Sequence, residues 1–213
     1  VIVVCGCNKG GAGKSTTCVN LAVGLMRKGK NVCVLDADGQ ASGHLWYGHR
    51  EAGNHLPKVP LTQKYGNLVD AVTRLAAQYD HVLVDVAGRN SAELITSMVV
   101  ADVVIAPHQC SDFDLDTLRQ LRKQYAEIKP ENPKLRVLVY QAIASTHSAG
   151  RVSERAKFLK RLAAFPEFEV LNSIGRSRKV YKDSTDLGLS VLELRNKDAI
   201  QEINELMTEV FHV

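Results

Sequence analysis

Three short stretches of this sequence hold the residue types that handle phosphate and a divalent cation. Residues 8–16 read Asn-Lys-Gly-Gly-Ala-Gly-Lys-Ser-Thr and follow directly on the apolar run Val1–Cys7. Glycines let a backbone turn tightly and approach phosphate oxygens with no Cβ in the way. A strand, a glycine loop and a helix in that order surround an anion with backbone N–H groups and a helix N-terminus. Lys14 is placed to neutralise β- and γ-phosphates, and the Ser15 hydroxyl to ligate Mg²⁺. Gly10, Gly11, Ala12, Gly13, Lys14, Ser15 and Thr16 form the expected nucleotide cradle. The second stretch, "VCVLDADGQAS", ends an apolar run on Asp36 and Asp38. Carboxylates two residues apart at a strand end point to the same side. The third, "HVLVDVAGR", ends on Asp85, placed to hold a water of a Mg²⁺ shell. Gly88, just beyond it, leaves room for that loop to approach the γ-phosphate. A capping role stays open for each of the three aspartates.

These residues need strands to deliver them to one edge. Short β-branched runs recur at Val1–Cys7, Asn31–Asp36, His81–Asp85, Val103–Ala106, Arg136–Tyr140 and Glu169–Leu171. Most are near-continuously apolar, as strands covered on both faces are. Helical patterns lie between them at Lys14–Arg27, Leu68–Gln78, Ala92–Val100, Leu115–Ile128, Arg151–Ala164 and Lys197–Phe211. The alternation predicts an α/β fold, a doubly wound, mostly parallel sheet with helices on both faces. Ligands of such sheets bind at the carboxyl ends of strands, where all three stretches fall. Gly39–Gly66 reads as the loosest part. Residues 1–213 are expected to form a single domain.

Composition narrows the class. The chain is 45% hydrophobic and 23% charged, with no apolar run near the roughly 20 residues a bilayer span needs. It opens on a strand-like segment, from which neither a signal peptide nor a preceding helix-turn-helix is expected. Five cysteines (Cys5, Cys7, Cys18, Cys33, Cys110) form no CxxC pair, so buried free thiols are expected. His44, His49 and His55, near Trp46 and Tyr47, share no helical face or strand and do not read as a metal site. That segment is also a candidate partner surface.

The usual phosphate-loop pattern has glycine where this chain has Asn8, and a second lysine, Lys9, precedes Lys14. "KGGAGKST" resembles the deviant Walker A motif, KGGxGK[ST], of the ParA/MinD superfamily of ATPases. The resemblance implies that Lys9 reaches across a homodimer interface to the partner subunit's ATP. A lysine in trans offsets the phosphate charge only when nucleotide and partner are both present, so dimerisation reports nucleotide state. "VLDADGQAS" is similar to the family's DxDPQxS, with Gly39 for the proline. By that match Asp38 positions the attacking water and Asp36 sits near Mg²⁺ through water. The "VAGR" after Asp85 replaces a more usual proline pair and resembles small ParF-type members. Arg89 is there a switch residue or a surface charge. "VVIAPHQCSDFDL" resembles the next strand and an interface segment, where Asp112 or Asp114 caps a helix.

Within that superfamily the chain resembles the ParA branch, which segregates plasmids and chromosomes. The C-terminal helix carries an apolar stripe (Ala199, Ile200, Ile203, Leu206, Met207, Val210, Phe211) opposite Asp198, Glu202, Glu205 and Glu209, which anionic lipid would repel. No membrane contact is therefore expected. Residues 151–182 hold nine basic against three acidic residues, more than the whole chain's net +4. Such a patch suits phosphate contacts without base readout, and a solvated charged face is the alternative. The resemblance to the ParA segment ending in "VLE" implies that Arg151, Arg155, Arg176, Arg178 and Lys179 contact non-specific DNA. It further implies ATP and Mg²⁺ as cofactors and a ParB-type centromere-binding or adaptor protein as partner. Cytoplasmic localisation, nucleoid-associated when ATP-bound, goes with it. A positioning or conjugation-associated ATPase with a protein cargo, or a MinD-like membrane-associated regulator, is the alternative.

Overall fold

The computed structural model describes residues 1–39, 42–88, 91–111 and 113–213, without the side chains of Ser42, Phe113, Asp114, Ser148 and Ala149. Arg89 and Asp112, and the side chain of Asp114, lie outside the described residues. The chain runs β1 (Ile2–Cys5), α1 (Lys14–Arg27), β2 (Val32–Ala37), α2 (Ser42–Ala52), β3 (Leu61–Gln63), α3 (Val69–Ala76), β4 (His81–Val86), α4 (Ala92–Val100), β5 (Val103–His108), α5 (Phe113–Ile128), β6 (Arg136–Ala144), α6 (Ser148–Leu162), β7 (Glu169–Arg176), α7 (Lys179–Asp186), a 3-10 turn (Val191–Glu193) and α8 (Lys197–Phe211). The seven strands form one parallel sheet in the order β3-β2-β4-β1-β5-β6-β7. This is the doubly wound α/β fold that the alternation predicts.

The four central strands are buried along nearly their whole length, because helices cover both faces. The period of two divides them between two cores. Val3 and Cys5 face α1, α8 and Trp46 of α2; Val4 faces α3, α4, α5 and α6, and Cys7, beyond the end of β1, joins that second core. Cys5, Cys7, Cys18 and Cys33 are buried thiols and Cys110 is half-buried.

The structure departs from the sequence reading in three places. The segment read as loosest, 39–66, carries α2 and β3, and Trp46 and Arg50 of α2 are both fully buried. A short helix, α7, follows β7, and β7 itself runs on to Arg176 rather than stopping at Leu171. The physical reason is that α2 and α7 are held by polar bonds to other elements more than by an apolar stripe. At the sheet's outer edge the acidic side of α8 is also used. Glu209 accepts from the Asn172 and Ser173 N–H groups at 2.7 and 2.8 Å, and Glu202 from the Arg176 N–H at 3.1 Å. Those carboxylates fasten α8 to the edge strand instead of facing water.

Candidate nucleotide site

β1 stands between β4 and β5 at the point where the chain switches sides, so the loop after it opens into the crevice beyond the strand ends. Gly11 and Gly13 take left-handed backbone angles, φ +69° and +92°, which an L side chain would strain. Gly13 is also the N-cap of α1. No side chain caps that helix and its first turn holds no acid. Its first N–H groups are therefore free of a competing carboxylate and suit an anion. Lys14 is buried, and its Nζ donates to Lys9 O at 2.9 Å, which keeps the ammonium folded over the loop. Asn8 Nδ2 donates to Gln124 Oε1 at 2.8 Å and ties the loop's entry to α5. Lys9 is half-buried within its own chain and reaches Ser111 Oγ at 3.5 Å.

The loop after β4 packs directly on this cradle. A Cβ on Gly88 would stand 2.6 Å from Lys9 O and 2.7 Å from Gly10 N, so only glycine permits the approach. Gly10, Gly11, Gly13, Lys14, Ser15, Thr16, Asp38, Gly39, Ala87 and Gly88 line a cavity of about 790 Å³. The structure thus brings the three motif stretches together around one space. Ala12, by contrast, is buried in the core beneath the loop.

The carboxylates differ in their surroundings. Asp85 is buried and neither of its oxygens has a hydrogen-bond partner of good geometry. Burial pushes its pKa up to about 7; Ser15 and Lys14 pull against this, while Asp36 and Asp38 add to it. An orphaned buried carboxylate beside a serine hydroxyl and a phosphate cradle is a donor set that fits Mg²⁺. That ion keeps several waters and takes one or two carboxylates plus phosphate oxygens. Asp36 is also buried, with its pKa raised by burial and partly offset by its N–H partners. Its two oxygens accept from the Asp38 and His44 N–H groups at 3.1 and 2.8 Å, so it caps the start of α2. Asp38 faces the cavity. Among the described residues no group of three His, Cys, Asp or Glu side chains converges to hold a metal by itself.

Sequence reasoning missed the neighbouring cavity. About 350 Å³ in volume, it is lined by Tyr140, Ala142, Gly175, Tyr181 and Ile203, and shares Gly13, Thr16 and Thr185 with the phosphate cavity. Tyr140 lies within β6 and Gly175 within β7, and no residue-type pattern in the sequence marks them as a lining pair. A Cβ on Gly175 would overlap the Tyr140 hydroxyl.

The five cations singled out for DNA fall into two kinds. Arg155 turns inward, donating to Gln141 Oε1 at 3.1 Å and Leu171 O at 2.6 Å. Arg178 pairs with Glu202 and Asp198, each at 2.9 Å, and Arg176 donates to Ser145 O at 2.9 Å. Arg151 and Lys179 are exposed; Arg151 leans on Thr146 O and Lys179 lies 3.6 Å from Asp183. Lys157, Lys160 and Lys182 are exposed as well. No helix among the described residues is long and apolar enough to cross a membrane.

Comparison with known proteins finds relatives over nearly the whole chain. The chain is 30% identical over 95% of its length, and 92% of the relative's, to the maintenance of carboxysome distribution protein A of Halothiobacillus neapolitanus. It is 31% identical over 61% of its length, and 64% of the relative's, to the chromosome-partitioning ATPase Soj of Thermus thermophilus. Two solved structures share the fold. Apo McdA of Cyanthece superposes with a TM-score of 0.80 at 15% identity, over 98% of both chains. A putative plasmid partition protein of Borrelia burgdorferi bound to AMPPNP gives 0.74 at 17%, covering 99% of this chain and 98% of that one. The family model of the CobQ/CobB/MinD/ParA nucleotide binding domain matches residues 2–188. A phosphate cradle with a second lysine, set beside an orphaned carboxylate at the sheet's switch point, is thus carried by a member of that family, and this chain belongs to it.

Proposed function

We propose that this chain is a ParA-type ATP hydrolase whose nucleotide state controls a homodimer and its grip on non-specific DNA. The observation that carries the reading is the pair of lysines on one loop. Lys14 is folded over its own cradle, and Lys9 stands at the rim, where a second copy would meet it. ATP would lie with its phosphates on residues 10–16 and its base in the cavity beside Tyr140 and Tyr181. Bound Mg²⁺ would supply charge neutralisation across the phosphates, and Ser15 and Asp85, with Asp36 behind them, would hold it and its waters. Asp38 would orient the attacking water. Among the described residues lining the phosphate cavity none is an arginine, so hydrolysis is expected to be slow until a partner supplies stabilising charge. Residues 1–213 would work as one domain.

Arg151, Arg176, Arg178 and Lys179, with Arg155 behind them, are the proposed DNA-facing set. The partner would be a ParB-type or adaptor protein, and the protein would be cytoplasmic and nucleoid-associated when ATP-bound. The test is binding to random-sequence duplex DNA across a salt series, with ATP, ADP or no nucleotide, alongside Lys14→Ala. Binding that needs ATP, weakens steeply with salt and is lost in Lys14→Ala is the expected result. An ATP-loaded dimer that ignores DNA overturns the reading.

A second reading, positioning of a protein assembly, is favoured by the relative that matches nearly the whole chain, a carboxysome distribution protein. The switch is then the same and the cargo differs. Deleting the chain should scatter or cluster a protein body in the cell without raising plasmid loss. Co-sedimentation with anionic vesicles tests the MinD-like membrane alternative.

A further inference from the structure

One helix connects the carboxylate corner to the basic turn. At its start, α2 rests on Asp36, whose Oδ2 accepts from the His44 N–H at 2.8 Å. A Cβ on Gly43 would stand 3.1 Å from that oxygen, so the first turn is seated closely on the carboxylate. Further along, Trp46 Nε1 donates to Leu189 O at 3.0 Å and His49 Nδ1 meets Asp186 O at 2.5 Å. Arg50, fully buried, donates to Pro57 O at 3.0 Å, to Gly188 O at 2.9 Å and through its fork to both Glu193 oxygens at 2.9 Å. Residues 186–193 are moulded onto this surface: a Cβ on Gly188, at φ +70°, would overlap the Arg50 backbone nitrogen. From the other side Asn20 of α1 holds the same segment, accepting from Ser190 Oγ at 2.7 Å and the Val191 N–H at 2.9 Å. That segment continues from α7, whose Thr185 lines both cavities and whose Lys179 and Lys182 are exposed.

A buried guanidinium with four of its five N–H donors engaged resists sliding, because sliding would leave the charge unpaired. Helix α2 and residues 186–193 therefore move as a unit or not at all. We propose that α2 is a strut that carries the state of the Asp36–Asp38 corner to α7, with His49 and Arg50 as its positioning residues. A cation brought in with nucleotide beside Asp38, or its bound waters, would compete for the oxygens of Asp36 that seat the first turn of α2. Any shift there is passed, through the locked far end, to the turn that presents Lys179 and Lys182. What that turn then does, meet DNA, rests on the function proposed above; the strut does not.

The test is amide hydrogen exchange of residues 179–193 with and without Mg·ATP, in the wild type, in Arg50→Lys and in the double variant His49→Ala/Glu193→Gln. The double variant keeps the buried arginine and a side chain of the same shape opposite it, so it carries the test where Arg50→Lys fails to fold. Mg·ATP should change exchange at 179–193 in the wild type, and that response should vanish in the variants while the response of residues 8–17 persists. A wild type whose 179–193 segment ignores Mg·ATP, or a folded variant with an intact response, overturns the strut. In parallel, the ATP-to-ADP ratio of DNA affinity, expected at about tenfold or more, should fall to within about twofold in the variants. Absence of DNA binding in the wild type overturns the DNA reading and leaves the exchange result to decide the strut.

Discussion

Asp85 holds the sharpest single-residue consequence. Its carboxyl is buried without a partner, and burial raises it from 3.8 to about 7. Between those values the folded chain binds more protons than the unfolded one, so this group lowers stability as pH rises. The displacement is worth at most about 4 kcal/mol. Asp85→Asn removes it. The nucleotide-free variant should therefore melt several degrees above wild type at pH 8 and close to it at pH 4. The stabilisation of the wild type by Mg²⁺ with nucleotide should grow as pH rises to about 7 and level off above it, and should lack that rise in the variant. A melting difference independent of pH would count against this account. Gly88→Ala acts through shape alone, since its Cβ would press on Lys9 O and Gly10 N. It should weaken nucleotide binding by about tenfold or more, with no charge changed, as equilibrium dialysis would register. Of the site residues, the cradle and the three aspartates were legible because each chemistry needs a fixed residue type at a strand end. The cavity at Tyr140 and Tyr181 was not, because apolar lining carries no such signature.

At the level of elements, the outer strand β7 depends on a neighbour. An edge strand offers unpaired N–H groups, and α8 covers three of them with Glu202 and Glu209. Burial pushes the Glu209 carboxyl up, but the bonds from Asn172 and Ser173 outweigh it and leave the group below its ordinary range. Its contribution is thus present above the usual carboxylate pKa and lost as pH falls through the lowered one. Glu209→Ala should cost about 1 kcal/mol, or roughly 2–4 °C in Tm. Light scattering should also show concentration-dependent association through the bared edge; a variant that stays dispersed and melts like wild type refutes the capping. The same reliance on polar bonds explains which elements the sequence hid. α1, α4 and α8 were read to the residue, because apolar periodicity and terminal residues mark them. α2, "SGHLWYGHREA", contains two glycines and buries an arginine where a periodic pattern wants an apolar residue. α7, "KVYKDSTD", has almost no apolar stripe, and β3 is three residues long at the other edge. Each is fixed by contacts distant in sequence, which a local pattern cannot express.

For the molecule as a whole, the basic surface is smaller than the count of basic residues suggests. Residues 151–182 carry nine cations, but Arg155, Arg161, Arg176 and Arg178 have bonds to other parts of the fold. Arg178 in particular joins α7 to α8 through Glu202, which is only 8% exposed and also accepts from the Tyr181 hydroxyl at 2.9 Å. Structural and DNA-facing cations should therefore separate in two measurements made on the same variants. Lys179→Ala and Lys182→Ala should leave Tm within about 1 °C of wild type. Each should make the slope of log affinity for DNA against log salt shallower by about one per lost phosphate contact. Arg178→Ala leaves Glu202 facing Tyr181 without its cation, so it should cost about 3 kcal/mol and lower Tm by several degrees, whatever it does to DNA binding. If Lys179→Ala and Lys182→Ala leave the salt slope untouched, the exposed cations of α7 do not face DNA. Arg151, Lys157 and Lys160 on α6 would then be the next surface to probe, since they are the remaining exposed cations of that stretch.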